Sequence, residues 1–186
     1  MKFVNPFRKA FSREQIRIFN FFARVQLFHS LSYEEIAEFL PYLHVRSYQK
    51  NEAVFFRNDP TQAWYIIKSG TIELSLDVKD DFETLAFAEK YVSIGNNALL
   101  EGRKRHYNAI AYTENCELYV IPQVNLLEIF ERHLSIKAKM LTALAEINDS
   151  NTAHLFKAYQ NNFGFFDLGQ AYMVSFQPFI REEEGL

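Results

Sequence analysis

Apolar residues change their spacing twice along this chain. Ile16, Phe19, Phe22, Ala23 and Leu27 recur at helical intervals, which predicts an amphipathic helix from Ser12 with one apolar face. Ser32, with Glu35 three residues on, forms a capping box, so a short second helix is expected as far as Leu40, ended by Pro41. After His44 the pattern shortens. Apolar pieces at 45–47, 54–56, 64–68, 70–76, 85–88, 91–94, 109–112 and 117–121 predict strands, with turns at Asn58–Asp59–Pro60 and Ser69–Gly70. Many short strands at close spacing predict a small antiparallel barrel or jelly roll. Beyond Pro122 the helical interval returns. Val124, Leu127, Phe130 and Leu134 open a stripe that Met140, Leu141, Leu144, Ile147, Leu155, Phe156 and Tyr159 continue. The polar run Asn148–Asp149–Ser150–Asn151 predicts a break within it. The stretch 163–180 is rich in aromatics and contains Gly164, Gly169 and Pro178. It is too apolar for an ordinary disordered tail and is expected to be covered by its own domain or by a second chain.

Composition narrows the class without naming it. The 186 residues are enough for one domain with a real core, and 48% are hydrophobic, which argues against disorder. With 19 Phe and 10 Tyr, aromatic packing should dominate that core. The formal charge of −3 gives no general pull toward nucleic acid or membrane. The single cysteine, Cys116, excludes an intrachain disulfide and fits a reducing, cytoplasmic setting. No signal peptide or bilayer-spanning stretch is read in the chain.

One window, residues 94–109, combines turn residues, a short apolar helical turn and clustered cations. Gly95 can take a positive φ. Asn96 and Asn97 can cap a helix start, which Ala98, Leu99, Leu100 and Glu101 would continue until Gly102 stops it. Arg103, Lys104 and Arg105 follow at once. Free N–H groups at a helix start beside an arginine would hold a small anion; a solvated charge run is the plainer reading of the same residues.

The order of helices, short strands and closing helix then carries a resemblance. Residues 48–60, with Glu52, Val54, Phe55 and Asp59, followed by Trp64–Tyr65–Ile66–Ile67 and Gly70, resemble the opening strands of cyclic nucleotide-binding domains. Residues 94–109 fall where that family carries its phosphate-binding cassette, and the likeness covers roughly 27–147. The resemblance implies a mainly β fold with flanking helices, a double-stranded β-helix of jelly-roll type, holding a cyclic nucleotide. Position by position, Gly95 fits the cassette glycine, Ala98 and Leu99 the short helix, and Arg105 the phosphate-binding arginine.

The departures concern the rest of the cassette. Asn96 stands where the family has a glutamate for the ribose hydroxyl. Replacing that charge-assisted bond costs about 1–2 kcal/mol, or roughly tenfold in affinity. His106 and Tyr107 replace two small residues and would crowd the phosphate seat, and Asn108 stands for the expected Ser or Thr.

The expected site is therefore Gly95, Asn96, Asn97, Ala98, Leu99, Arg105, His106, Tyr107 and Asn108. No metal, cofactor or catalytic group is expected. The five histidines are scattered, and no nucleophile elbow or P-loop occurs. Three segments follow: an arm and helix at 1–26, the domain at 27–147, and an aromatic extension at 148–186. The expected function is a cytoplasmic ligand-sensing module that takes cyclic AMP, in preference to cyclic GMP, and relays it through the C-terminal helix. The alternative is a degenerate barrel that binds no nucleotide and serves protein interaction or dimerisation. A homodimer or a partner protein would be engaged through the terminal helices and aromatic tail. No helix-turn-helix pattern follows the barrel, so direct DNA binding is not expected.

Overall fold

The computed structural model of the protein describes residues 11–79 and 81–162. The chain divides into two compact units, Met1–Glu146 and Ile147–Leu186. Among the described residues the first holds eight strands in two four-stranded antiparallel sheets, ordered β1-β8-β3-β6 and β2-β7-β4-β5. The strands are β1 (His44–Tyr48), β2 (Ala53–Phe55), β3 (Ala63–Ser69), β4 (Ile72–Val78), β5 (Asp81–Ala88), β6 (Ser93–Ile94), β7 (Asn108–Ala111) and β8 (Cys116–Pro122). This is the expected jelly-roll arrangement.

Strand β3 shows how the sequence builds the roll. Trp64 through Ile67 are all buried, because the strand is covered on both faces. Side chains alternate across a strand. Tyr65 and Ile67 therefore join the interior cluster with Tyr48, Phe55, Ile72, Ile94 and Leu118, while Trp64 turns outward and stacks on Phe28 with ring centroids 5.3 Å apart. Full burial of the Tyr48 ring pushes its hydroxyl up to about 12. Gly70, at φ 84°, makes the turn between β3 and β4. A Cβ there would meet Cys116 Sγ at 2.7 Å and its Cα at 2.9 Å, so the close approach of the two chain segments requires glycine.

Helix α1 (Arg13–Phe22) starts at Ser12, whose hydroxyl accepts from Gln15 N–H while the Gln15 side chain accepts from Ser12 N–H. This capping box is not among the sequence expectations. Phe19 and Phe22 are the buried pair; Ile16 is half-exposed and Leu27 lies in a separate 3₁₀ turn. The predicted stripe is therefore cut short, because the helix must end for Phe22 and Phe28 to meet at 4.8 Å. Helix α2 (Tyr33–Ala37) has the predicted Ser32–Glu35 box. It stops three residues earlier than expected, and Pro41 sits inside a 3₁₀ turn instead of ending a helix.

Helix α3 (Gln123–Arg132) begins directly after β8, and α4 (Leu134–Asn162) follows across His133. The expected stripe is corrected at its two ends: Val124 and Leu134 are about 72% and 70% exposed, while Leu126 and Ile129 join the expected Phe130 in facing inward. The interruption at His133 resets the helical phase, so one periodicity cannot be carried across it. The predicted break at 148–151 is absent. Helix α4 runs through it, and Thr152 Oγ1 donates to the Asn148 carbonyl at 2.8 Å, one turn back, without leaving the helix. Polar residues without Gly or Pro interrupt a stripe but not a backbone ladder. Glu35 accepts from Lys139 Nζ at 2.7–2.8 Å and from Ser135 Oγ at 3.1 Å, tying the first turns of α4 to α2. The aromatic stretch from 163 onward lies outside the described residues.

Candidate functional site

Strand β6 ends at the buried Ile94, and the chain turns at Gly95 with φ 67° and ψ 37°. A 3₁₀ turn, Asn96–Leu99, follows, with Ala98 and Leu99 buried against the roll. Neither asparagine caps it, contrary to expectation. The reversal of direction needs the left-handed residue at the cap position, and that is the glycine. The amides go elsewhere. Asn96 Oδ1 accepts the Trp64 indole N–H at 3.0 Å, and the Asn97 side chain donates to the Lys104 carbonyl.

The segment that carries Arg105 is stapled to the turn of residues 56–61. Arg105 N donates to the Asp59 carbonyl at 2.8 Å, Asn58 N to the Arg105 carbonyl at 3.0 Å, and Thr61 N to the Arg103 carbonyl at 3.0 Å. Asp59 in turn accepts from Phe56 N–H at 2.9 Å through its carboxylate, which shapes that turn. The staple holds the Arg105 side chain against the inside of the roll. It is 3% exposed. Nη1 donates to the Gly95 carbonyl at 3.1 Å and Nη2 to the Ala63 carbonyl at 2.5 Å. The guanidinium lies over the Phe55 ring, 4.3 Å from its centroid, and 5.5 Å from that of Tyr65. Nε has no partner.

Among the described residues no carboxylate stands at ion-pair distance from this cation. Burial pulls its proton affinity down, and the Tyr65, Tyr107 and Asp59 side chains pull the other way. A cavity of about 250 Å³ opens beside the guanidinium, between Phe55, Asp59, Gln62 and Tyr65. A buried cation that donates to two carbonyl oxygens and leaves Nε without a partner among the described residues is arranged to receive an anion.

The remaining expected residues divide. Tyr107 reaches into the site: its hydroxyl accepts the buried Gly95 N–H at 2.8 Å, and its ring packs on Phe55 at 5.7 Å. Burial raises its hydroxyl pKa, against the pull of the Gly95 amide and Arg105. Asn108 is buried but turned to structural work. Its Oδ1 accepts from Arg57 N–H at 2.8 Å and its Nδ2 donates to Asp77 at 2.7 Å. His106 is exposed, as are Arg103 and Lys104.

Sequence reasoning missed Gln123. This first residue of α3 donates through Nε2 to the Ala98 carbonyl at 2.9 Å, the Leu100 carbonyl at 3.1 Å and Thr61 Oγ1 at 3.0 Å. It joins the cassette turn to the C-terminal helices. Its position just past Pro122 was the available signal, but only the apolar pattern was followed there. Phe55 and Tyr65, the rings that bed the guanidinium, are likewise read in the sequence only as strand residues.

Three comparisons bear on this geometry. The cyclic nucleotide-binding domain model matches residues 45–133. The cyclic AMP receptor protein of Thermus thermophilus is 31% identical over 119 residues, 63% of this chain and 54% of its own length. A putative potassium channel protein of Rhodopseudomonas palustris is 27% identical over 138 residues, 74% of this chain and 33% of its own. The chain thus spans about half or less of these relatives. The crystal structure of Thermus thermophilus catabolite activator protein superposes with a TM-score of 0.62 at 26% identity, covering 73% of this chain and 63% of that one. The two-sheet roll agrees with these matches, and residues 45–133 belong to the cyclic nucleotide-binding domain family.

Proposed function

We propose that this chain is a regulatory module that binds cyclic AMP, in preference to cyclic GMP, with Arg105 holding the cyclic phosphate. One observation carries the reading: Arg105 is 3% exposed, and among the described residues it has no carboxylate at ion-pair distance and no partner for Nε. Desolvating a charge is costly unless a counter-charge compensates it. A phosphate brings that counter-charge into a site already desolvated. The preference for cyclic AMP draws on the Thermus relative, which is named a cyclic AMP receptor. The roll binds and does not catalyse. Among the described residues no cluster of metal-ligating side chains occurs and no helix is long and apolar enough to cross a membrane.

The relay runs through Gln123 in this reading. Its amide grips the carbonyl end of the cassette turn, so a displacement of that turn on ligand binding shifts the start of α3. The ligand moves this equilibrium only by its differential affinity for the two arrangements. Calorimetric titration with cyclic AMP and cyclic GMP tests the binding. Micromolar binding of cyclic AMP, lost in Arg105→Ala while the protein still melts cooperatively, is expected. Absence of heat at millimolar nucleotide rejects the reading.

We also propose that the module works as a homodimer through its terminal segments. Deleting residues 163–186 should then lower the mass in solution from two chains to one; retention of the dimer moves the contact to the helices.

A further inference from the structure

Tyr107 occupies a donor that a ligand would use. The Gly95 amide is buried, and the Tyr107 hydroxyl satisfies it at 2.8 Å. A buried N–H needs a partner, so a ligand oxygen that took this amide would have to replace the hydroxyl. The backbone on either side of Tyr107 is held, at Arg105 by its two hydrogen bonds to the 58–59 turn and at Asn108 by the β4–β7 pairing with Ser75. Tyr107 therefore cannot leave by a shift of the chain, and only a rotation of its side chain frees the amide.

Space gives the same result. The cavity beside Arg105, about 250 Å³, is smaller than the roughly 300 Å³ at which sites for drug-sized ligands begin. Phe55 lines that cavity, and the Tyr107 ring packs on the same Phe55 ring with centroids 5.7 Å apart, one ring away from the space.

We infer that Tyr107 is a built-in plug: its hydroxyl holds the Gly95 amide in the empty protein, and a cyclic nucleotide binds only after the ring has swung out. The inference rests on the nucleotide-binding reading above. Apparent affinity falls by the fraction of molecules in the competent state, so removal of the plug raises it. The tyrosine therefore sets the concentration at which the module responds.

The test titrates cyclic AMP into wild type, Tyr107→Ala and Tyr107→Phe, with thermal melts as the check on folding. It also follows exchange of the Gly95 amide proton without nucleotide. Tyr107→Ala should bind cyclic AMP at least tenfold more tightly than wild type. Tyr107→Phe, which keeps the ring and frees the amide, should bind a few-fold more tightly and carries the test if the alanine variant does not fold. Gly95 should exchange at least tenfold faster in Tyr107→Phe than in wild type. Equal or weaker binding by the folded variants, with wild type binding normally, overturns the plug and leaves the nucleotide reading standing. Unchanged exchange at Gly95 overturns it too. No binding by any of the three folded proteins overturns the nucleotide reading, and the plug with it.

Discussion

Gly95 meets three demands at once. Its φ of 67° turns the chain, its N–H reaches Tyr107, and its carbonyl accepts from Arg105. A Cβ on it would stand 2.2 Å from Arg105 Nη1, a distance no real contact tolerates. Gly95→Ala should therefore cost about 1–2 kcal/mol from the left-handed backbone alone, and the guanidinium must also move. Chemical denaturation should show that loss, and cyclic AMP affinity should fall at least tenfold; an unchanged affinity would mean that the arginine's present position is immaterial to binding. Much of this residue's role is legible in the chain, because few residues besides glycine take that backbone and the arginine follows it at the spacing the family resemblance requires. The partners of Asn96, Asn97 and Asn108 are not. An asparagine amide bonds whatever donor or acceptor the fold brings to it, and Trp64 lies 32 residues from Asn96.

At the scale of elements, the short turn Asn96–Leu99 and helix α3 act as one piece. Gln123 holds two carbonyls of the turn and the Thr61 hydroxyl with a single amide nitrogen, while Leu126, Ile129 and Phe130 anchor α3 in the core. Gln123→Leu keeps the length and removes the donor. It should destabilise the protein by about 1–3 kcal/mol, because the two carbonyls lose their partner. Hydrogen exchange separates coupling from stability: cyclic AMP should alter exchange in α3 of wild type, and that response should fall by half or more in the variant at saturating ligand. A full response would place the coupling elsewhere. Helix phase was the weak point of the sequence reading. The face through Val124 and Leu134 assumed one continuous period, and the stop at His133 broke it. The polar run near 150 misled in the opposite direction, because a loss of apolar residues is not a loss of backbone hydrogen bonds. The Ser32–Glu35 box, which depends only on residues three apart, was readable.

For the whole first unit, the strand segments and their turns follow from local residues: alternating or continuous apolar runs, Gly70 between two strands, and the Asn58–Pro60 turn. Those determine a roll of short antiparallel strands, and the match of Gly95 and Arg105 to the cassette comes from the family resemblance. Which strands pair is another matter. Strand β8 lies between β1 and β3, and β7 between β2 and β4, because distant segments must close two sheets over one core of Tyr48, Phe55, Tyr65, Ile72 and Leu118. The sequence by itself placed an arginine and a glycine in the cassette. Only the tertiary structure decided that the arginine is buried with no carboxylate at ion-pair distance among the described residues and that a tyrosine already fills the glycine's amide. Burial and hydrogen-bond partnership are properties of segments far apart in the chain, and no local pattern encodes them.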